Sequence, residues 1–305
     1  MRTTLSRKQI LERLAQQVEQ KSPIVVATAG NGLMAKLIEL GGADIILTYH
    51  TAQLRMKGLP SVAPVEGSFN EIVEEMAAEQ VYVTDSIPLV AGINAHELPT
   101  DEQIINQIDR YVSLGFNGIA NFPTIGFLDR DDVLVKQDVG ERRKFDALND
   151  AGLNQLAEIG RESIAKGMGF NHEVRCIELA HKKGIFTCAY CFTADDAEKM
   201  ALAGADMIVA HCGGTSGGLT GTKGAKSYTG AAEVINWIYD GARKGNPDAL
   251  LLGHGGPFSG PEDMDELYRL TPSVGFVSGS SVERIPVERA VIGVVKEFKN
   301  YQINR

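Results

Sequence analysis

Positive charge is scarce in this chain, and so are cysteine, tryptophan and long apolar runs. Thirty Lys and Arg stand against 39 Asp and Glu, a formal net charge of −9. Phosphate backbones are bound by clustered Lys and Arg, so nucleic acid is not an expected partner. No apolar run reaches the roughly 20 residues needed to cross a bilayer, and a membrane partner is not expected either. The opening stretch LSRKQILERLAQQVEQK mixes charge into a helical pattern. It holds neither an apolar h-region nor a small-residue cleavage site, so the expected location is the cytoplasm. Four cysteines in 305 residues do not make a disulfide scaffold. Two of them, Cys188 and Cys191, form a CxxC in the strand-like run IFTCAYCF. Residues three apart on a strand face opposite sides, which favours packing over joint metal ligation or redox chemistry.

What is present is an alternation. Short apolar, β-branched runs recur at 23–28, 44–50, 87–94, 116–122, 184–192, 206–212, 248–254 and 274–280. Stretches with helical period lie between them, among them GLMAKLIELGGA, TDEQIINQIDRYVSLG and AAEVINWIYDGARKG. Thr100, Thr193 and Pro261 stand where helices begin; Gly115, Gly184, Gly204 and Gly245 stand where they stop. Continuously apolar strands separated by helices imply a parallel sheet covered on both faces. Eight such units close most economically as a (β/α)8 TIM barrel, one domain over residues 1–305. The alternative is a doubly wound open sheet, but no GxGxxG follows the first strand and no acidic residue ends the second. The turn GGADII (41–46) nearly repeats as AGADMI (203–208). The N-terminal helix is expected to plug the lower mouth of the barrel. A long loop after strand four, 124–170, is expected to carry function or oligomer contacts.

In such barrels chemistry sits at the C-terminal strand ends, where the following loops converge. Neither lysine nor a carboxylate ends any of these runs, which argues against a Schiff base and against a carboxylate-held magnesium site. The groups that do stand there include Gly30, His50, Asn94, Asn121, Tyr190, His211 and His254. His254, in GHGGP, and His211, in AHCGG, end neighbouring strands and are candidates for acid and base. Asn94, Asn121 and Tyr190 are candidates to orient a carbonyl or a developing oxyanion. Gly255 and Gly256, with Gly279, Ser280 and Ser281 after strand eight, are candidates to hold a small anion on backbone N–H groups. Simple helix capping by the serines is the plainer reading. Loop six, CGGTSGGLTGTKGAKSYTG, has the composition of a lid, with Lys223 and Lys226 as cations; a solvated loop is the alternative. Arg55 in HTAQLRMKG is a further anion partner or a lone surface residue. Glu173 is a carboxylate swung in from the long loop or a first-turn helix residue. His50 with His211 and His254 would form a three-histidine metal site, but strand two lies away from strands six and seven. No cofactor is therefore expected from the residues, with a divalent metal left open.

The stretches YHTAQLRMKG, IANFPTIGFLD, GMGFNHEVRCIELAHKKG, MIVAHCGGTSGG, LLGHGGPFSGPEDM and GFVSGSSVERIPVERA resemble the phosphoenolpyruvate hydrolase-like TIM-barrel family, also described as a signal-transduction family. The resemblance spans nearly the whole chain. It implies a barrel of the phosphoenolpyruvate/pyruvate type, hydrolysis of phosphoenolpyruvate or phosphonopyruvate or a dioxygenase reaction, and a homo-oligomer. Enzymes of that type hold magnesium on acidic residues at strand ends; here those positions read Asn94 and Asn121, and His50 stands where asparagine is expected. The expected function is an enzyme cleaving a C–C, C–P or phosphoester bond of a small anionic oxo-acid or phosphorylated acid. A non-catalytic, metabolite-sensing barrel is the second reading, and a histidine-ligated metal enzyme such as a dioxygenase the third.

Overall fold

The structure, a computed structural model, describes residues 4–122, 124–125, 146–221 and 226–303. Eight parallel strands form a closed barrel in sequence order. They are β1 (Ile24–Thr28), β2 (Ile45–Thr48), β3 (Leu89–Gly92), β4 (Gly118–Ala120), β5 (Phe186–Cys191), β6 (Met207–His211), β7 (Leu250–His254) and β8 (Gly275–Ser278). Pairing of β1 with β8, Ile24 opposite Gly275, closes the sheet and excludes the open alternative. A side chain on Gly275 would stand 2.2 Å from the Ile24 carbonyl oxygen, so closure at this seam needs glycine.

The helices are α1 (Arg7–Glu19), α2 (Gly32–Leu40), α3 (His50–Met56), α4 (Phe69–Val83), α5 (Asp101–Ser113), α6 (Asp146–Ala165), α7 (Phe170–Lys182), α8 (Ala194–Leu202), α9 (Tyr228–Gly245), α10 (Met264–Leu270) and α11 (Arg284–Lys299). Alternate strand residues divide between two packings. Val26, Leu47, Val90, Cys188, Tyr190, Val209, Leu252 and Val277 fill the barrel. Ala189, Cys191, Ile208 and Ala210 face the helix layer. Cys188 and Cys191 thus lie on opposite sides of one strand, each buried and free.

Helix α1 plugs the N-terminal mouth. Its Ile10 and Leu14, with Leu5 ahead of it, join the interior cluster. Asn117 donates to the Leu5 carbonyl at 3.0 Å, and Arg7 grips Asp206 through two nitrogens at 2.6–3.0 Å. The repeated Gly-Ala-Asp turn has one physical job in both places. Asp44 accepts from the Val25 N–H at 2.8 Å and Asp206 from the Thr187 N–H at 3.0 Å, each tying one strand start to its neighbour.

Of the long segment after β4, residues 126–145 lie outside the described residues. The part that follows is α6, which docks on the loop after β2. Gln155 exchanges two hydrogen bonds with the Val65 backbone, at 2.9 and 2.7 Å. Leu156 and Ile159 pack on Leu54, Ala63, Val65 and Phe69.

Candidate functional site

Strand register brings His211 and His254 side by side at the C-terminal mouth. Their ring centroids are 4.8 Å apart, and each imidazole is walled by aromatic rings. Tyr190 meets His254 edge-on at 5.5 Å, while Phe192 lies 4.8 Å from His211. Phe122 bridges Tyr190 and Tyr49, at 4.6 and 4.4 Å. The two imidazoles hold different tautomers. Nδ1 of His254 lies 2.7 Å from the Val277 carbonyl oxygen, which can only accept, so Nδ1 carries the proton and Nε2 a lone pair. Nδ1 of His211 accepts from the Gly213 N–H at 3.2 Å, so the neutral ring carries its proton on Nε2. Burial pushes His254 down to about 4 and His211 well below the usual imidazole range, with His254 adding to the effect on His211. At neutral pH the pair is one base and one proton donor, both uncharged.

The glycines around His254 answer to packing. Gly255 has φ +83°, and a side chain there would stand 2.0 Å from the Gly213 carbonyl oxygen. Gly256 donates its N–H to that same oxygen at 2.9 Å, so this group is already engaged. The two Gly-rich turns after β6 and β7 therefore cross in contact, which is what sets the imidazoles together. Gly30 likewise sits against α3: a side chain would meet the Ala52 carbonyl oxygen at 2.1 Å.

Arg55 is not a surface residue. It is 6% exposed, forms an ion pair with the fully buried Glu283, and donates to Thr28 at 3.0 Å and to Thr51 and Ser61 at 3.3 Å. Its guanidinium lies 5.6 Å from the Tyr49 ring centre. Gly279 sits where the Tyr49 hydroxyl, Arg55 and His254 approach, each 3.6–3.8 Å from where its side chain would begin. The Tyr190 hydroxyl is buried here beside Tyr49. Tyr49 stands with His50 at the end of the second apolar run, while Glu283 was not singled out: it sits in a polar turn, and only the fold shows that it faces Arg55.

Asn121 and Glu173 form a closed network. Asn121 accepts from the Tyr190 N–H at 2.7 Å and donates to Glu173 at 2.9 Å. Glu173 also accepts from Thr124 at 2.6 Å and from the Ile125 N–H. Burial pushes the Glu173 carboxyl up to about 7 against these three donors. Both oxygens are engaged, so this carboxylate fastens the start of the β4 loop to α7. Asn94 is anchored to Asn70, leaving its side-chain oxygen buried and unpaired.

His50 does not join the histidine pair. It starts α3, stacks on Phe69 at 4.2 Å, and shares that ring with His96. Burial lowers its pKa to about 3. Among the described residues no group of three His, Cys, Asp or Glu is placed to hold a metal. The carboxylates near the mouth are held by Arg55 or by the Thr124–Ile125 backbone and side chain, and Asn121 uses its oxygen on Tyr190. Among the described residues the donor set therefore does not fit a carboxylate-held hard cation. Ser280 is buried and the Ser281 hydroxyl has no partner. Lys223 lies outside the described residues, while Lys226 reaches the Cys212 carbonyl at 3.5 Å. A crevice of ≈ 260 Å³ on the opposite face, lined by Arg13, Glu39 and Asp44 among others, shares no residue with this mouth.

The family model described as phosphoenolpyruvate hydrolase-like matches residues 9–160 and 157–301. The chain belongs to the phosphoenolpyruvate hydrolase-like family. Among its curated relatives are two tomato (Solanum lycopersicum) proteins. The ToMV susceptible protein tm-1(GCR26) is 36% identical over 296 residues, 95% of this chain and 35% of that protein. The ToMV resistance protein Tm-1(GCR237) is 36% identical over 303 residues, 98% of this chain and 36% of that protein. Protein y4pA of Sinorhizobium fredii, named for transcriptional regulation, is 28% identical over 279 residues, 91% of this chain and 41% of its own length. This phosphoenolpyruvate hydrolase-like chain thus corresponds to a part of each relative. Solved structures share its fold. Phosphonopyruvate hydrolase in complex with oxalate and Mg++ has a TM-score of 0.56 at 15% identity, over 96% of this chain and 85% of that one. A 2,3-dimethylmalate lyase of the PEP mutase/isocitrate lyase superfamily has a TM-score of 0.55 at 14% identity, over 96% and 89%.

Proposed function

We propose that this barrel is an enzyme that cleaves a bond in a small anionic oxo-acid or phosphorylated acid, with His254 as base and His211 as acid. The observation that carries the reading is the pair of complementary tautomers: a lone pair on His254 Nε2 and a proton on His211 Nε2, in contacting rings at a barrel mouth. Proton transfer by positioned imidazoles contributes about 10²–10⁴-fold to rate. His254 takes a proton from the substrate or an attacking water, and His211 returns one to the departing group. The buried Tyr190 hydroxyl, beside Tyr49, is a donor for the negative oxygen that develops, in a site where such a bond counts most. The Gly279–Ser281 turn receives the standing negative charge. The kinship and the small-acid enzymes that share the fold agree with this substrate class. No step is assigned to a metal.

The test is a turnover screen of the purified protein on phosphoenolpyruvate, phosphonopyruvate and oxaloacetate, repeated with His254→Asn and His211→Asn. Turnover lost in both variants, with melting temperatures near wild type, supports the pair; undiminished turnover in either removes its residue from the mechanism. A second reading, a metabolite-sensing barrel without turnover, draws on the curated relatives. They are named for virus susceptibility, virus resistance and transcriptional regulation, none for a reaction. Thermal stabilisation by one of these acids with no product formed would favour it.

A further inference from the structure

The Gly-Ala-Asp turn occurs twice, before β2 and before β6, and the two copies differ in one respect. In each, the aspartate accepts from a backbone N–H 19 residues earlier, Asp44 from Val25 and Asp206 from Thr187. The second carboxylate also receives a guanidinium. Arg7, in the first turn of α1, forks onto Asp206 at 2.6–3.0 Å, and Asp206 is left 8% exposed. Strands β2 and β6 stand opposite each other in the ring of eight, so α1, which starts at Asp206, ends near the other copy. There its Arg13 is exposed and turned to the Ser86 carbonyl, at 3.3 Å. Among the described residues no Lys or Arg pairs with Asp44, which stays half-buried. Burial pushes its carboxyl above the usual range, and the Val25 N–H alone pulls it back.

What adjoins Asp44 instead is the crevice of ≈ 260 Å³, bounded by Arg13, Leu14 and Gln17 of α1, by Glu39 and by the chain at 86–88. Glu39 is committed to its wall, accepting from the backbone N–H groups of Asp85, Ser86 and Ile87 at 2.8–2.9 Å. Two carboxylates thus border the space against one guanidinium. The volume falls just below the roughly 300–1,000 Å³ of pockets for drug-sized molecules, which suits a charged head on a short chain. A carboxylate partly withdrawn from water gains more from an ion pair than an exposed one does.

We propose that Asp44 binds the guanidinium or primary ammonium group of a small molecule in this crevice, in the place that Arg7 takes on Asp206. The ligand's N–H donors meet the carboxylate, and its short chain lies against Leu14. This site is at the N-terminal mouth, away from the histidine pair, and stands whether or not the barrel is a catalyst.

The test is calorimetric binding of agmatine to the full chain, with tetramethylammonium as a cation that has no N–H donor. Wild type should bind agmatine at millimolar concentration and tetramethylammonium about tenfold more weakly or worse. Asp44→Asn, which keeps an oxygen for the Val25 N–H, should weaken agmatine binding about tenfold or more. His254→Asn should bind agmatine as wild type does. Should Asp44→Asn fail to fold, amide NMR of the wild type decides: agmatine should shift Val25, Asp44 and Ser86 and leave His211 and His254 unmoved. Equal binding of both cations, unchanged affinity in Asp44→Asn, or no binding by wild type at tens of millimolar would overturn the site. So would binding that appears only in Arg13→Gln, because Arg13 would then be the cation that Asp44 already holds.

Discussion

At His254 a single carbonyl, that of Val277, decides which ring nitrogen is the base. Because burial holds this imidazole near 4, the acid limb of a kcat/KM profile should fall with a midpoint near 4, against about 6.5 for a free histidine. A midpoint at 6–7 would remove His254 from the role. The same shifts act on stability. His50 and His254 stay neutral in the fold but take protons in the unfolded chain below about 6.5. Their contribution is therefore complete above that pH and is lost as pH falls toward 4. Glu173 has the opposite sign. Its carboxyl keeps its proton up to about 7 in the fold but only to about 4.3 when unfolded, so its contribution is complete below 4.3 and is lost as pH rises through 7. Glu173→Gln turns an acceptor into a donor facing Thr124 and Asn121. It should cost about 1–3 kcal/mol and flatten the decline between pH 5 and 8, as read by melting temperature. A steeper decline would contradict this assignment of the shift.

Elements place these residues, and the decisive ones are short. The turns after β6 and β7 touch at Gly213 and Gly255, and Gly255→Ala adds both a forbidden φ and an overlap with backbone. The expected result is a loss of more than about 2 kcal/mol and a disturbed histidine pair; a stable, active variant would show that the turns do not set the geometry. At the other end α1 closes the barrel with Ile10 and Leu14, each 0–1% exposed. Leu14→Ala should lower stability by about 2–5 kcal/mol in a denaturant titration while leaving the distant mouth unchanged. The eight strands and this plug were legible in the chain because apolar runs and helical periodicity are local signals. The CxxC was legible for the same reason. The buried place of Arg55 was not: its partner Glu283 is 228 residues away, and no local pattern reports such a pairing.

For the whole molecule, the last helix stands out. Beyond Arg284 and Ile285, no residue of α11 is buried, and Val291, Val294, Val295 and Phe298 are 49–74% exposed. Val25, Leu33, Leu37 and Leu40 are exposed on β1 and α2. Exposed apolar area of this kind marks an interaction surface. The expected outcome in light scattering is a homo-oligomer, broken toward monomer by Val291→Asp with Val295→Asp. A wild-type monomer at micromolar concentration would remove that expectation. No helix among the described residues is long and apolar enough to cross a membrane.

The sequence by itself determined the barrel, its strand count, the plug and the presence of histidines at two neighbouring strand ends. All of these follow from periodicity and from a fixed rule that parallel strands carry their loops to one mouth. Only the tertiary structure decided the tautomers and the engagement of Glu173 and Arg55 by protein groups. Those depend on which atoms meet across long separations in the chain, and that is settled by packing rather than by any residue's neighbours in sequence.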